Sequence, residues 1–300
     1  MSASSTTQPL SFRRPSGPRT IKNALAAVYV TAATVLAIVP LVWVLYTVIS
    51  KGVRLILTST WWLQSQRGLT PRREGGGAYH AIVGTVEMGL ICALIAVPLG
   101  VLGAILLIEY ARGTKVARVV SFTVDILSGI PSIVAALFIY ALFITIFGFG
   151  RSAIAVSFAL VLLMLPTVLR STEEMLKLVP DSLREASYAL GVPKWKTIVK
   201  VVIPTAFSGI STGVVLGLAR VMGETAPLLI LVSYAMGINF SPTADTMGAL
   251  PTMINTGRDQ APQLPGYERV WAAACTLIIL VMALNLAARG IARFSKLKEK

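Results

Sequence analysis

Six long apolar stretches limit how this chain can fold more than any other feature. They cover residues 24–50, 81–108, 121–148, 152–169, 206–236 and 270–292. A helix needs about 20 predominantly apolar residues to cross a bilayer. Because every backbone polar group inside a membrane needs an internal partner, runs of this length cross it as helices. The sequence therefore predicts an all-α membrane protein with six transmembrane helices.

Composition agrees with a membrane protein. The 300 residues are 55% hydrophobic and 13% charged, whereas soluble domains carry about 25% charged residues. The first apolar stretch is too long for a secretory signal and lacks a clean small-residue cleavage site, which indicates an anchor. Residues 1–20 are rich in Ser, Thr, Pro and Arg and predict a disordered cytoplasmic tail. Residues 21–300 are then predicted to form a single transmembrane domain.

The positive charges predict the orientation of the chain. A net charge of +14 would suggest nucleic acid in a soluble protein. Here most of the 27 Lys and Arg residues fall on one side of the predicted spans, in the two terminal segments and in the segments 112–118 and 170–200. By the positive-inside rule, both termini lie in the cytoplasm. We expect membrane lipid as a partner and no nucleic acid.

Sequence motifs for catalysis or metal binding are missing. The chain has no Walker phosphate loop, nucleophile elbow or zinc motif. His80 is its only histidine, and Cys92 and Cys275 lie in apolar stretches, where thiols usually serve as small packing residues. We therefore expect no catalytic residue, no metal site and no bound cofactor, and no ATP hydrolysis by the chain itself.

A polar segment, residues 171–205, separates the fourth and fifth apolar stretches. Ser182 and Glu185 have the spacing of a capping box, which predicts the start of a helix. Gly191 suits the left-handed residue that ends such a helix, and Pro193 is tolerated in the first turn of a second helix. The apolar face of the first predicted helix consists of Leu183, Ala186 and Leu190. Two short amphipathic helices around a glycine predict a surface that contacts a partner.

The second helix of this segment has its own apolar stripe. Trp195, Ile198, Val199 and Val202 fall on one side, opposite three lysines. Pro204 is expected to end this helix before the next apolar stretch begins.

Charged residues also occur inside the fifth apolar stretch. Arg220 and Glu224 are four residues apart and can pair along one helix face. A charge at mid-depth in a bilayer costs at least about 2.5–3.5 kcal/mol, so it needs compensation. The same face carries the small residues Gly209, Gly213 and Gly217, whose spacing favours close helix packing. Two interpretations stay open, a structural ion pair and a route on which the Arg220 guanidinium meets an anion. Similarly, Arg170 can pair with Glu173 or Glu174, or all three can form a solvated helix end.

One motif in the polar segment resembles a known family. Glu185-Ala-Ser is followed by three residues and Gly191, and then by nine residues and Val201-Val-Ile-Pro204. This spacing is similar to the EAA loop of ABC-importer permeases, with three conservative departures. In that family the loop inserts into a groove of a cytoplasmic ATPase, which is helix-in-groove recognition. The resemblance implies that Glu185, Ala186, Gly191 and Pro204 couple the chain to an ATPase.

Further stretches narrow the resemblance. Residues 75–85, 129–134, 169–176 and 219–229 look like the A-type permease subunits of phosphate-specific (Pst) ABC importers, and the likeness covers about residues 24–295. It implies a type I ABC-importer permease fold in the bacterial cytoplasmic (inner) membrane. The implied partners are a second homologous permease, an ATPase dimer that uses ATP and Mg, and an extracytoplasmic phosphate-binding protein.

The resemblance implies that the chain is the permease subunit of an ATP-driven importer of inorganic phosphate. Its substrate path would include Arg220 and Glu224, and also Arg170 and Glu173. Two alternatives remain open: a permease for another oxyanion, such as sulfate, molybdate or phosphonate, and an ATP-independent anion carrier.

Overall fold

The computed structural model describes residues 17–297, and the side chains of residues 20–290. Most of the predicted tail, up to residue 16, lies outside the described residues, whereas residues 17–20 begin the first helix. The chain divides into two compact units, Met1–Thr47 and Val48–Lys300. The described part of the first unit is the beginning of a long helix, and all other elements belong to the second unit. The predicted boundary at residue 20 stays a prediction.

The described residues are mainly helical, as predicted. The helices are α1 (Gly17–Ile56), α2 (Ser59–Leu63), α3 (Tyr79–Ile105), α4 (Lys115–Ser128), α5 (Ser132–Ile139), α6 (Ala153–Lys177), α7 (Asp181–Ala189), α8 (Lys194–Thr197), α9 (Ile203–Met222), α10 (Ala226–Leu231), α11 (Leu250–Gly257) and α12 (Pro265–Leu297). Three π-helical turns extend or join these helices, at Leu106–Tyr110, Tyr140–Ile146 and Ile198–Val202. Within this part of the chain, five helices are long and apolar enough to cross a membrane, and a bent pair makes up to six.

The third predicted span, 121–148, is wrong as a single helix. α4 and the helix Ser132–Ile146 are bent by 106° relative to each other. Pro131 lies at the break with an extended backbone. A proline ring clashes with the helical conformation of the residue before it, which interrupts the helix there. By contrast, Pro98 and Pro166 lie inside continuous helices.

The boundaries of the fourth and fifth spans also differ from the prediction. α6 continues past residue 169 to Lys177. α8, the π-helical turn Ile198–Val202 and α9 form one continuous helix, Lys194–Met222, in place of the predicted 206–236. The polar segment that stands apart from the spans is therefore 178–193 rather than 171–205. Residues 223–225 separate α9 from α10.

Short elements follow the fifth span. The strands β1 (Ser233–Tyr234) and β2 (Thr246–Met247) pair in parallel, and α11 follows them. This two-residue pairing is the exception to the predicted all-α class. Tyr234 contacts His80 Nε2 through its hydroxyl at 3.2 Å, and burial raises the pKa of Tyr234 to about 12. The phenol therefore stays protonated at neutral pH.

Helices α3, α6 and α9 pack together at the centre of the second unit. α6 is the most buried of the candidate spans in the described residues. Close approach depends on small residues, because a Cβ atom added to Gly100 of α3 would lie 2.8 Å from Val168 Cγ1 of α6. α6 also carries Arg170 and Glu173, and Arg170 contacts Asp125 of α4.

Candidate functional site

The first helix of the polar segment starts earlier than the capping-box spacing predicted. Pro180 is its N-cap residue, and no side chain caps the helix. Ser182 lies inside the first turn, so it does not act as the N-cap, and that prediction was wrong. Pro180 takes the extended backbone of an N-cap and leads directly into the helix.

Gly191 ends α7 as predicted. Its φ angle is +71°, a conformation that costs residues with a Cβ atom about 1–2 kcal/mol. The Gly191 amide donates to the carbonyl of Tyr188 at 2.9 Å, and the Val192 amide donates to the carbonyl of Ser187 at 3.2 Å. These two bonds form a Schellman motif. They reverse the chain and set α8 beside α7.

One face of α7 is open to contact. Leu183, Ala186 and Leu190, the predicted apolar face, are all exposed, and Leu190 is 84% exposed. Glu185 is exposed beside them. An exposed apolar face of this kind on a short helix is typical of a protein-binding surface. We call Leu183, Glu185, Ala186 and Leu190 the docking face.

The apolar stripe of the second helix divides in two. Ile198 and Val202 are buried, whereas Trp195 and Val199 are more than half exposed. The predicted single stripe was therefore wrong. The π-helical turn Ile198–Val202 changes the angular spacing of these side chains, because its hydrogen bonds run from residue i to i+5.

Pro204 does not end the second helix. It occupies the beginning of α9, directly after the π-helical turn. The wider turn accommodates a residue that lacks an amide donor and would clash with the preceding turn of an α-helix. The predicted helix end was wrong, and Pro204 instead lies where the polar segment enters the fifth span.

Arg184 holds the opposite face of α7. Its Nη2 lies 2.9 Å from Glu109 Oε1, and its Nε donates to the same oxygen at 3.2 Å. Both side chains are buried, with 12% and 5% of their surface exposed. Arg184 also donates to the carbonyls of Val179 at 2.7 Å and Leu176 at 3.0 Å. The guanidinium thus joins α7 to the ends of α3 and α6.

Two further contacts fix the pair α7–α8. The buried hydroxyls of Ser187 and Thr197 lie 2.8 Å apart. Lys194 donates to the backbone carbonyl of Glu109 and lies 4.9 Å from the centre of the Tyr110 ring. Both short helices are therefore attached to the π-helical turn Leu106–Tyr110 at the end of α3.

A second charged network lies on α6. Arg170 Nη1 is 2.7 Å from Glu173 Oε2, and Lys177 Nζ is 2.7 Å from Glu173 Oε1. Arg170 Nη2 donates to Asp125 Oδ1 and, at 3.0 Å, to the carbonyl of Ser121. Arg170 and Glu173 therefore pair with each other, and Arg170 connects α6 to α4. Glu174 is exposed, with no hydrogen bond or ion pair to a described residue.

Arg220 and Glu224 do not form the ion pair that their spacing in the sequence allows. α9 ends at Met222, so Glu224 follows the helix and does not share a helical face with Arg220. Among the described residues, neither side chain has a hydrogen bond or an ion pair. Arg220 is exposed, and Glu224 is half-buried. The Arg220 guanidinium can therefore contact a group outside the described residues.

The three glycines of α9 face α6. A Cβ atom on Gly209 would overlap Met175 Sδ, and one on Gly213 would overlap Ser171 Oγ. At Gly217 the nearest atom would be Met164 Cγ at 3.5 Å, an ordinary contact. The two helices therefore approach most closely toward the α7 end of α9.

The sequence did not single out Glu109. It stands between Ile108 and Tyr110, and the nearest opposite charge in the sequence is Arg112, three residues further on. A carboxylate at the end of an apolar stretch indicates a partner elsewhere in the fold, because a buried charge needs a partner. Its partner, Arg184, lies 75 residues away in the chain. Among the described residues, no group of three or more acidic, His or Cys side chains can hold a metal ion.

Solved structures show which fold this protein has. A chain from the inward-facing MetNI methionine ABC transporter matches at 23% identity with a TM-score of 0.55, covering 73% of this chain and 94% of its own. A chain from a bacterial alginate ABC transporter, solved with an alginate pentasaccharide-bound periplasmic protein, matches at 13% identity with a TM-score of 0.61. That match covers 93% of this chain and 98% of the other. The fold is that of a type I ABC-importer permease.

Sequence relatives narrow the class. Residues 75–296 match the family described as binding-protein-dependent transport system inner membrane component. The phosphate transport system permease protein PstA 1 of Mycobacterium tuberculosis (strain CDC 1551 / Oshkosh) is 51% identical, covering 95% of this chain and 93% of its own. PstA of Yersinia pestis is 37% identical, covering 96% and 95%. The chain belongs to the PstA family of phosphate transport system permease proteins, which confirms the resemblance to A-type permeases. It is a multi-pass inner-membrane permease subunit and not itself the ATPase of the transporter.

Proposed function

We propose that this chain forms half of the translocation path of an ATP-driven importer of inorganic phosphate and docks a separate ATPase. The observation that carries the proposal is the docking face of α7, which is apolar, exposed and fixed from behind by Arg184. Relatives at 51% and 37% identity are phosphate transport permeases, which supports phosphate as the cargo.

The docking face lies in the cytoplasm in this proposal, as do both termini. In this orientation α7 shares its side of the membrane with the basic residues Arg112, Lys194, Lys196 and Lys200. This agrees with the positive-inside rule. An exposed apolar helix face fits a groove on a partner protein. The partner is an ATPase dimer, which binds the ATP and Mg, while this chain holds no cofactor.

Arg220 is the residue proposed to meet the anion. A guanidinium offers a planar set of donors that matches an oxyanion such as phosphate. Arg220 is exposed and has no partner among the described residues, whereas Arg170 already contacts two carboxylates. Glu224, close to Arg220 in sequence, limits how tightly the anion is held, because a path must also release its cargo. Arg170 and Glu173 set the position of α4 beside the path.

The proposed cycle is alternating access. A phosphate-binding protein on the outer side releases phosphate to the path, which this chain forms with a second homologous permease. ATP binding to the ATPase dimer moves α7 and α8, and the membrane helices repack. Substrate and ATP then act through one conformational equilibrium, so each affects the binding of the other.

The test replaces Arg220 with an uncharged residue. We expect Arg220→Gln to abolish phosphate uptake in cells while the tagged chain still co-purifies with its ATPase, second permease and binding protein. Arg258→Gln is the matched control, because Arg258 is an exposed arginine on the segment after α11, with Asp259 as its neighbour. Normal uptake by the Arg220→Gln variant would contradict the proposal.

The same uptake assay separates the two alternatives. If excess sulfate, molybdate or phosphonate lowers phosphate uptake as strongly as excess phosphate does, the cargo is another oxyanion. Uptake that survives deletion of the ATPase would identify an ATP-independent carrier.

A further inference from the structure

The helix α7 has two functional sides, and the second is not explained by docking. Its docking face is exposed, while Arg184 and Ser187 point toward the rest of the chain. The Ser187 hydroxyl contacts Thr197 of α8, at the beginning of the fifth span. Arg184 is the side chain through which α7 contacts the ends of α3 and α6.

The contacts of Arg184 converge on two spans. Two of its nitrogens donate to Glu109 at the end of α3, at 2.9 and 3.2 Å. Two more bonds reach the carbonyls of Leu176 and Val179, at the end of α6 and just after it. A rigid guanidinium with several donors in one plane can hold all these acceptors at once. Arg184 therefore links α7 to both α3 and α6.

Glu109 has a matching position at the end of α3. Its carboxylate binds α7 and its backbone carbonyl accepts from Lys194 of α8. It lies in the π-helical turn Leu106–Tyr110, after which a short turn leads into α4. α4 carries Asp125, which binds Arg170 of α6. Contacts thus run from the docking helix to Arg170, which sets the position of α4 beside the proposed path.

We propose that Glu109 and Arg184 are positioning residues that transmit movement of the docked helix α7 to the membrane helices. The proposal rests on the proposed function, since it needs an ATPase that moves α7. A buried ion pair suits this role because separating its members leaves a charge without a partner in a poorly solvated place. The pair therefore moves as a unit, and α7 does not slide independently of α3.

The test measures coupling rather than transport alone. The complete complex, with its ATPase, second permease and binding protein, is reconstituted in liposomes, and phosphate imported per ATP hydrolysed is compared between variants. Glu109→Gln keeps the shape of the side chain and removes its charge. We expect import per ATP to fall by about fivefold or more, the lower end of usual coupling between sites, while ATP hydrolysis continues. Loss of folding alone would lower both activities together.

Two companion variants sharpen the test. Glu109→Asp retains the charge and is expected to recover part of the lost coupling. The double variant Glu109→Gln with Arg184→Gln is expected to be no worse than the poorer single variant, because both changes interrupt one link. Asp181→Asn is the matched control. It removes the charge of an exposed carboxylate 3.0 Å from Arg184 Nη1 and leaves Glu109 unchanged, and it should retain wild-type coupling.

Three results would overturn the proposal. They are a wild-type ratio of import to hydrolysis in Glu109→Gln, a double variant whose loss is the product of the two single losses, and a loss in Asp181→Asn equal to that in Glu109→Gln. If Glu109→Gln does not assemble, Glu109→Asp and Arg184→Lys decide, and a wild-type ratio in both would overturn it. Absence of import by the wild-type complex, measured in the same preparation, would instead count against the proposed function.

Discussion

The continuous helix formed by α8 and α9 is held very differently at its two ends. At the Lys194 end, Lys194 and the buried pair Arg184–Glu109 attach the helix and its neighbour α7 to α3. At the Met222 end, Arg220 and Glu224 have no ion pair or hydrogen bond with a described residue. The glycines of α9 follow the same trend, since Gly209 and Gly213 allow a closer approach to α6 than Gly217 does.

This difference indicates separate tasks for the two ends. Charges that are buried and fully paired fix geometry, because moving them apart is costly. A charge that is exposed and unpaired is free to interact with something that is not part of the chain. Arg184, on the neighbouring helix α7, and Arg220, near the Met222 end, make the contrast testable with the same type of substitution.

The largest effect on stability is expected at Arg184. Arg184→Ala leaves Glu109 buried without its partner and frees the carbonyls of Leu176 and Val179. Removing one partner of a buried pair costs about 3–5 kcal/mol. The midpoint of thermal unfolding of the detergent-purified complex should fall strongly. Arg220→Ala is the control, with an expected change within about 0.5 kcal/mol. Equal losses in both variants would remove the contrast.

A smaller effect is expected from the glycines of α9. In Gly213→Ala, the new Cβ atom overlaps Ser171 of α6. Overpacking of this kind costs about 1–3 kcal/mol. Gly217→Ala adds the same methyl group at ordinary contact distance, 3.5 Å from Met164 Cγ, and should be close to neutral. Thermal unfolding of the two variants measures the difference, and greater damage from Gly217→Ala would reverse the proposed gradient.

The smallest of these effects is expected at Gly191. Gly191→Ala meets no atom within 4 Å, so its cost comes from the positive φ angle alone. That cost is about 1–2 kcal/mol, and it should appear as weaker retention of the ATPase during purification, because the turn aligns α7 with α8. Gly223→Ala is the comparison, since Gly223 ends α9 with a φ of −92°. If retention of the ATPase falls for Gly223→Ala but not for Gly191→Ala, the turn at Gly191 does not set the position of the docking face.

Local patterns in the sequence predicted the features that depend on residues close together in the chain. The apolar stretches gave most of the spans, and Gly191 gave the left-handed turn, because one residue type is strongly favoured there. The spacing of Glu185, Gly191 and Pro204 identified the class of the chain. Each of these signals lies within a single segment.

Effects that depend on distant residues or on alternative helix geometries were not predicted. Pro131 and Pro204 have the same chemistry, yet a 106° bend occurs at one and a continuous helix at the other. A π-helical turn absorbs Pro204, and its presence depends on packing rather than on composition. The pair of Arg184 with Glu109 spans 75 residues of sequence, so neither residue indicates the other without the fold.

The π-helical turns have a consequence for how this chain tolerates insertions and deletions. An α-helix rotates by about 100° for each residue, and a π-helical turn holds about one residue more than an α-helical turn. The turns Leu106–Tyr110 and Ile198–Val202 lie at the two helices that hold α7. Losing one residue from either turn would restore a regular α-helix and rotate everything beyond it around the helix axis. The contact between Glu109 and Lys194 thus depends on the rotation of each helix about its axis as well as on the two residue types. The number of residues in these two turns is therefore as constrained as the charges themselves.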